Sequence, residues 1–200
     1  SLAWLLQRVM PLHDAARLAS ALFAALAFGF IARAARSASR ADGWLELRVI
    51  GPVVLSAGTL VVIKHMHDMM TDVALFAGTA IAFCGLLELV MQHVARAQQM
   101  RHALPMQPSG RWAAPMFGAG VGIALMAKGL FVPLVFAATL MGALVLYPAC
   151  RTRAFARSLA VAALVFAPFA LIWPIALFLR SETLFMTWFW DNNVGRFFGF

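Results

Sequence analysis

From Ala15 to Leu179 the sequence is a series of apolar runs, each broken off by arginine, lysine or a glycine- or proline-containing turn. The runs lie near residues 15–32, 49–63, 71–90, 112–127, 130–147 and 159–179. A spanning helix needs roughly 20 apolar residues, about 17–25 in practice. Inside hydrocarbon a helix satisfies its own backbone polar groups. The pattern therefore predicts an all-α, polytopic transmembrane bundle of about six spanning helices, with residues 1–200 forming part of one domain and residues 180–200 an outer loop.

Composition agrees with the runs. Of the 200 residues, 63% are hydrophobic and 12% charged, and the mean hydropathy is +0.85. That lies far from a soluble globular domain. The net charge of +8 could suggest nucleic acid, but the arginines punctuate apolar segments instead of lining a polar face with interleaved aromatics. Membrane lipids are the expected surroundings, and no nucleic-acid partner is expected. Cys84 and Cys150 form no C-x-x-C and give no disulfide framework.

Six crossings would put successive connections on alternate sides. Residues 33–48, 93–111 and 150–158 then share one side and hold Arg33, Arg36, Arg40, Arg48, Arg96, Arg101, Arg111, Arg151, Arg153 and Arg157. The positive-inside bias assigns that side to the cytoplasm. Trp44, Trp112 and Tyr147 fall at the inner interface, and Trp4, Trp188 and Trp190 at the outer. The chain is expected in the inner (plasma) membrane, with its site facing the periplasm or exterior.

The outer side differs in kind. Lys64 and Lys128, with Asp68, Asp72, Asp191 and Arg196, place mixed charge at the mouth of an apolar bundle. Lys64-His65-Met66-His67-Asp68-Met69-Met70-Thr71-Asp72 is the densest ionisable cluster. A charge at the bilayer centre costs about 2.5–3.5 kcal/mol even on lenient scales, so this cluster belongs at a water interface or in a polar cavity. Such a group suits the charged headgroup of a lipid-linked ligand.

Each candidate also has a plainer reading. Thr71 can cap a helix that begins there, and Asp72 in the first turn is favoured by the helix dipole. Lys64, Asp68 and Asp72 can neutralise one another along one helical stripe. His65 and His67, two apart, are poorly spaced for shared metal ligation, although the His/Asp density leaves room for a divalent cation; no other cofactor is implied. Lys128 can snorkel from a helix end, and beside the permissive Gly129 it is equally placed to meet a phosphate. Glu88 is expected to reach the inner interface, and His93 and His102 to lie in a solvated loop. In the tail, the aromatics can simply anchor the chain, while Asp191-Asn192-Asn193 followed by Gly195-Arg196 reads as a hydrogen-bonding turn that presents a guanidinium among rings.

Four stretches taken in order resemble one family. They are Arg17-Leu18-Ala19-Ser20, His67-Asp68-Met69-Met70-Thr71-Asp72-Val73-Ala74-Leu75, Ala127-Lys128-Gly129 and Trp190-Asp191-Asn192-Asn193-Val194-Gly195-Arg196-Phe197. The order is similar to that of GT-C superfamily polyprenyl-phosphate-sugar glycosyltransferases, in particular the bacterial glycosyltransferase family 39 and aminoarabinose-transferase branch, relatives of protein O-mannosyltransferases. The resemblance implies a GT-C-like fold and transfer of a sugar from a polyprenyl-phosphate donor to a lipid, glycan or protein acceptor on the non-cytoplasmic face.

By the same resemblance Asp72 is the second of two acidic residues and orients the acceptor or donor. Lys128 would contact the donor phosphate and Arg196 the departing lipid phosphate. Lys64, His67, Asp68, Asp191 and Asn193 complete the expected substrate-binding set. The family's principal acid sits in a first outer loop, which here is expected to precede Ser1, so the chain is expected to be a fragment and inactive alone. The competing expectation is a membrane transporter or lipid-linked-sugar flippase, motivated by the short, glycine-containing runs 49–63 and 112–127.

Overall fold

The computed structural model describes residues 11–59, 71–102 and 110–195. These residues are helical almost throughout, with no strand among them. The helices are α1 (Leu12–Ser39), α2 (Leu47–Gly58), α3 (Thr71–Arg101), α4 (Ala113–Lys128), α5 (Phe131–Leu146), α6 (Arg153–Arg180) and α7 (Glu182–Met186), followed by a π-helical segment, Thr187–Gly195. A single 3₁₀ turn, Pro148–Cys150, joins α5 to α6.

Among the described residues three helices, not six, are long and apolar enough to cross a membrane: Asp14–Ser39, Asp72–Arg101 and Arg153–Arg180. Length decides this. At 1.5 Å per residue the 12 residues of α2 rise about 18 Å, and the 16 residues each of α4 and α5 about 24 Å. A hydrocarbon core is about 30 Å thick. The expected second run, 49–63, stops being helical at Gly58, and residues 60–63 lie outside the described part. The three long helices and the exposed Leu164, Ile172 and Leu179 on α6 suit a membrane protein, since so large an apolar surface is rarely left to water.

Helices α3 and α4 are antiparallel and form the centre, where glycine removes the side chains that would hold them apart. A Cβ on Gly78 would lie 2.7 Å from the Ala124 nitrogen, and one on Gly85 or Gly120 would strike the backbone of Phe117 or Ala82. The opposite face of α4 is also bare. A Cβ on Gly118 would strike the Ala162 carbonyl of α6, and one on Gly122 would meet the Phe169 ring at 2.5 Å. Helix α4 is thus clasped between α3 and α6, as small residues allow where dispersion does the packing. Leu86, Leu89, Phe117, Val121, Phe136 and Phe155 fill the core around it.

On the far side of α3, α1 lies parallel to it, seated through Ala27, Ala77 and Ala80 with Phe28 edge-on to Phe76. The ends are stopped locally. Arg40 takes a left-handed conformation (φ 51°), and its N–H donates to the Arg36 carbonyl. Between α1 and α2, Glu46 accepts from the Gly43 N–H at 2.8 Å and pairs with Arg48; the Gly43 amide and then Arg48 hold its carboxyl below the usual range. Arg151 donates to the last carbonyls of α5, those of Leu144 and Val145. Thr152 caps α6 by accepting from the Phe155 N–H. That helix runs unbroken through Pro168 and Pro174.

Two expected loops are helical in their first parts. α1 continues to Ser39 and α3 to Arg101, so Arg33, Arg36, His93 and Arg96 belong to helices. The segment 182–195, expected as an outer loop with a turn, is also helical.

Candidate functional site at the Asp72 end of the bundle

Antiparallel packing brings the first turn of α3 beside the last turn of α4. Asp72 and Lys128 meet there, Lys128 Nζ lying 2.5 Å from Asp72 Oδ1. The carboxylate side chain is 18% exposed and the lysine 48%, and Oδ1 itself is shielded from water. Each charge sits where its own helix favours it, an acid at an N-terminus and a base at a C-terminus. The pair closes the gap between two helices that the glycine contacts already hold together.

The turn after Lys128 permits this placement. Gly129 has φ 75° and ψ −148°, a conformation that side chains rarely adopt, and its N–H donates to the Leu125 carbonyl at 2.8 Å. Leu130 then caps α5, which begins at Phe131 and completes the tight hairpin expected at Lys128-Gly129. The half-exposed ammonium carries three donors, enough to meet an anion as well as the Asp72 carboxylate with which it forms an ion pair.

The other expected site residues are not gathered by the described structure. Asp191 is exposed in the π-helical segment and makes no ion pair with a described residue. That segment is held by aromatic contacts, Phe185 with Phe178, Trp188 and Phe189. Lys64, His67, Asp68 and Arg196, and the side chains of Thr71 and Asn193, lie outside the described residues, as does His65. Among the described residues no three His, Cys, Asp or Glu side chains group as a metal site.

A second polar cluster, near the middle of α3, was not foreseen. Arg33 of α1 forks onto Glu88 of α3, Nε to Oε1 at 2.7 Å and Nη2 to Oε2 at 2.9 Å. Ser37 adds a hydroxyl at 3.2 Å and the buried Cys84 thiol lies at 3.7 Å. Glu88 therefore ends on a guanidinium between α1 and α3. An acid within an apolar run signals that a partner is needed, but which helix supplies it depends on packing that the sequence pattern does not carry. His93 is likewise not solvated. It is 9% exposed, edge-on to Phe155 at 5.1 Å and 3.5 Å from the Ser158 hydroxyl.

No protein-family model matches the chain, and no curated protein or solved structure matches it. Any functional reading therefore stands on the site's own chemistry and on the motif order.

Proposed function

We propose that the chain carries part of the site of a membrane glycosyltransferase, which moves a sugar from a polyprenyl-phosphate donor to a lipid, glycan or protein acceptor on the non-cytoplasmic face. The observation that carries this reading is the Asp72–Lys128 pair. Two residues chosen from sequence, 56 positions apart by their numbers, meet at one end of the bundle at 2.5 Å. The bundle is GT-C-like in this reading, and the arginine-rich end is cytoplasmic.

The chemistry asks for both charges. The acceptor oxygen or nitrogen forms a bond to the anomeric carbon while the glycosyl–phosphate bond breaks. The electron pair leaves with the phosphate, where Lys128 meets the developing charge. The acceptor's proton goes to a carboxylate base, and Asp72 holds the acceptor or donor in line for it.

The full-length protein tests this with a labelled polyprenyl-phosphate sugar. Asp72→Asn should abolish transfer of label while membrane insertion and solution size stay unchanged, and Lys128→Ala should raise the donor KM. Unchanged turnover in both would reduce the pair to a clasp between helix ends. Label that crosses the bilayer still attached to polyprenyl phosphate would favour the flippase.

A further inference from the structure

The end of the bundle opposite Asp72 holds a cleft of about 250 Å³ between α3, α4 and α6. Its polar lining is Gln92, His93 and Arg96 from α3, Arg111 ahead of α4, and Arg157 and Ser158 from α6. Three arginines thus converge on one space, and no acid is among the described residues that line it. The positive-inside bias explains arginines in connections, but not why three of them turn to a common cleft.

Four other arginines of this end have partners within the chain, whereas Arg40, Arg101 and Arg153, outside the cleft, pair with no carboxylate among the described residues. Arg33 is forked onto Glu88 and Arg48 pairs with Glu46. Arg36 donates to the Ala41 and Asp42 carbonyls and lies over the Trp44 ring at 4.6 Å, while Arg151 caps α5. Among the described residues no carboxylate pairs with Arg96, Arg111 or Arg157. The helix termini add to the imbalance. α4 and α6 both begin at this cleft, and neither has an acid in its first turn. Their dipoles favour an anion there and disfavour the neighbouring cations. The buried His93, with Ser158 beside it, supplies a polar floor.

We propose that this cleft binds a phosphate-bearing anion, clamped by Arg96, Arg111 and Arg157. Arginine forks match phosphate oxygens, and basic clefts between membrane helices suit lipid headgroups. Such a ligand ties α3, α4 and α6 together at the end where the Asp72–Lys128 clasp cannot act. The site is independent of the proposed sugar transfer.

The test uses the full chain in neutral dodecylmaltoside micelles, titrated with dioleoylphosphatidylglycerol in one arm and inorganic phosphate in the other, with the melting temperature as readout. A saturable rise is expected, because a ligand that binds the folded state stabilises it. Arg96→Gln/Arg111→Gln/Arg157→Gln should weaken the apparent affinity at least about tenfold, as loss of charge-assisted contacts requires. The control Arg40→Gln/Arg101→Gln/Arg153→Gln removes the same charge from the same end outside the cleft and should leave the affinity nearly unchanged. If the triple variant does not fold, Arg111→Gln alone, an exposed position ahead of α4, takes its place. Saturation by lipid alone identifies a headgroup, and saturation by both identifies the phosphate itself. Saturation by neither, or equal losses in the cleft and control variants, overturns the proposal.

Discussion

Glu88 is the acid that the apolar centre of the bundle tolerates, and its side chain is 11% exposed. A carboxylate so placed needs a partner that is itself well hydrogen-bonded, which the Arg33 fork and the Ser37 hydroxyl supply. Removing one partner leaves the other to pay the desolvation cost alone. Arg33→Met should destabilise the folded protein by about 1–3 kcal/mol, the usual penalty for a stranded buried group. Glu88→Met should cost less, because Arg33 is 41% exposed and can turn to water. The double variant should recover part of the loss, giving a coupling of about 0.5–3 kcal/mol in a double-mutant cycle. Additive losses, measured by chemical unfolding in micelles, would show that the two residues act separately.

At the scale of elements, the most constrained helix is α4, because glycine serves two neighbours at once. Gly120 approaches the α3 backbone, while Gly118 and Gly122 approach α6. A side chain on Gly120 meets main-chain atoms of Ala82 and Gly78, which cannot rotate away, so Gly120→Val should cost about 1–3 kcal/mol through overpacking. Gly142 on α5, where an added Cβ would meet nothing within 4 Å, is the matched control, and Gly142→Val should leave the melting temperature nearly unchanged. Equal effects at the two positions would remove close approach as the reason for these glycines. Helix positions were legible because each apolar run is long and ends in charge or glycine. Helix ends were not. Arginine is a good helix former, so Arg33, Arg36 and Arg96 continue their helices where charge alone suggested a loop. Asp72 and Lys128 were legible as helix-end residues, since Thr71-Asp72 and Lys128-Gly129 bracket apolar runs. The Arg33–Glu88 fork and the arginine cleft were not, because they depend on which helices pack together, and hydropathy does not carry that information.

For the whole molecule the open physical question is the α4–α5 hairpin, whose arms rise about 24 Å each beside a helix of 31 residues. Its base carries Arg111 and Arg151, and its tip carries Lys128, which is held at the Asp72 end of α3. If α3 crosses the bilayer, that pairing draws the tip to the far side, with the local membrane thinning to meet a short arm at a modest cost per ångström of mismatch. Both native thiols are buried, and burial pushes the Cys150 thiol above its ordinary value, so the wild-type chain is an unreactive background for cysteine scanning. In sealed vesicles an impermeant maleimide should label Arg111→Cys and Arg153→Cys from one side. It should label Met126→Cys, on the exposed face near the tip, and Glu182→Cys from the other. A tip that labels from the arginine side, or only after solubilisation, would make the hairpin re-entrant. The Asp72–Lys128 pair would then lie within the bilayer instead of at its outer mouth, and the glycosyltransferase reading would lose the water-facing site on which it depends.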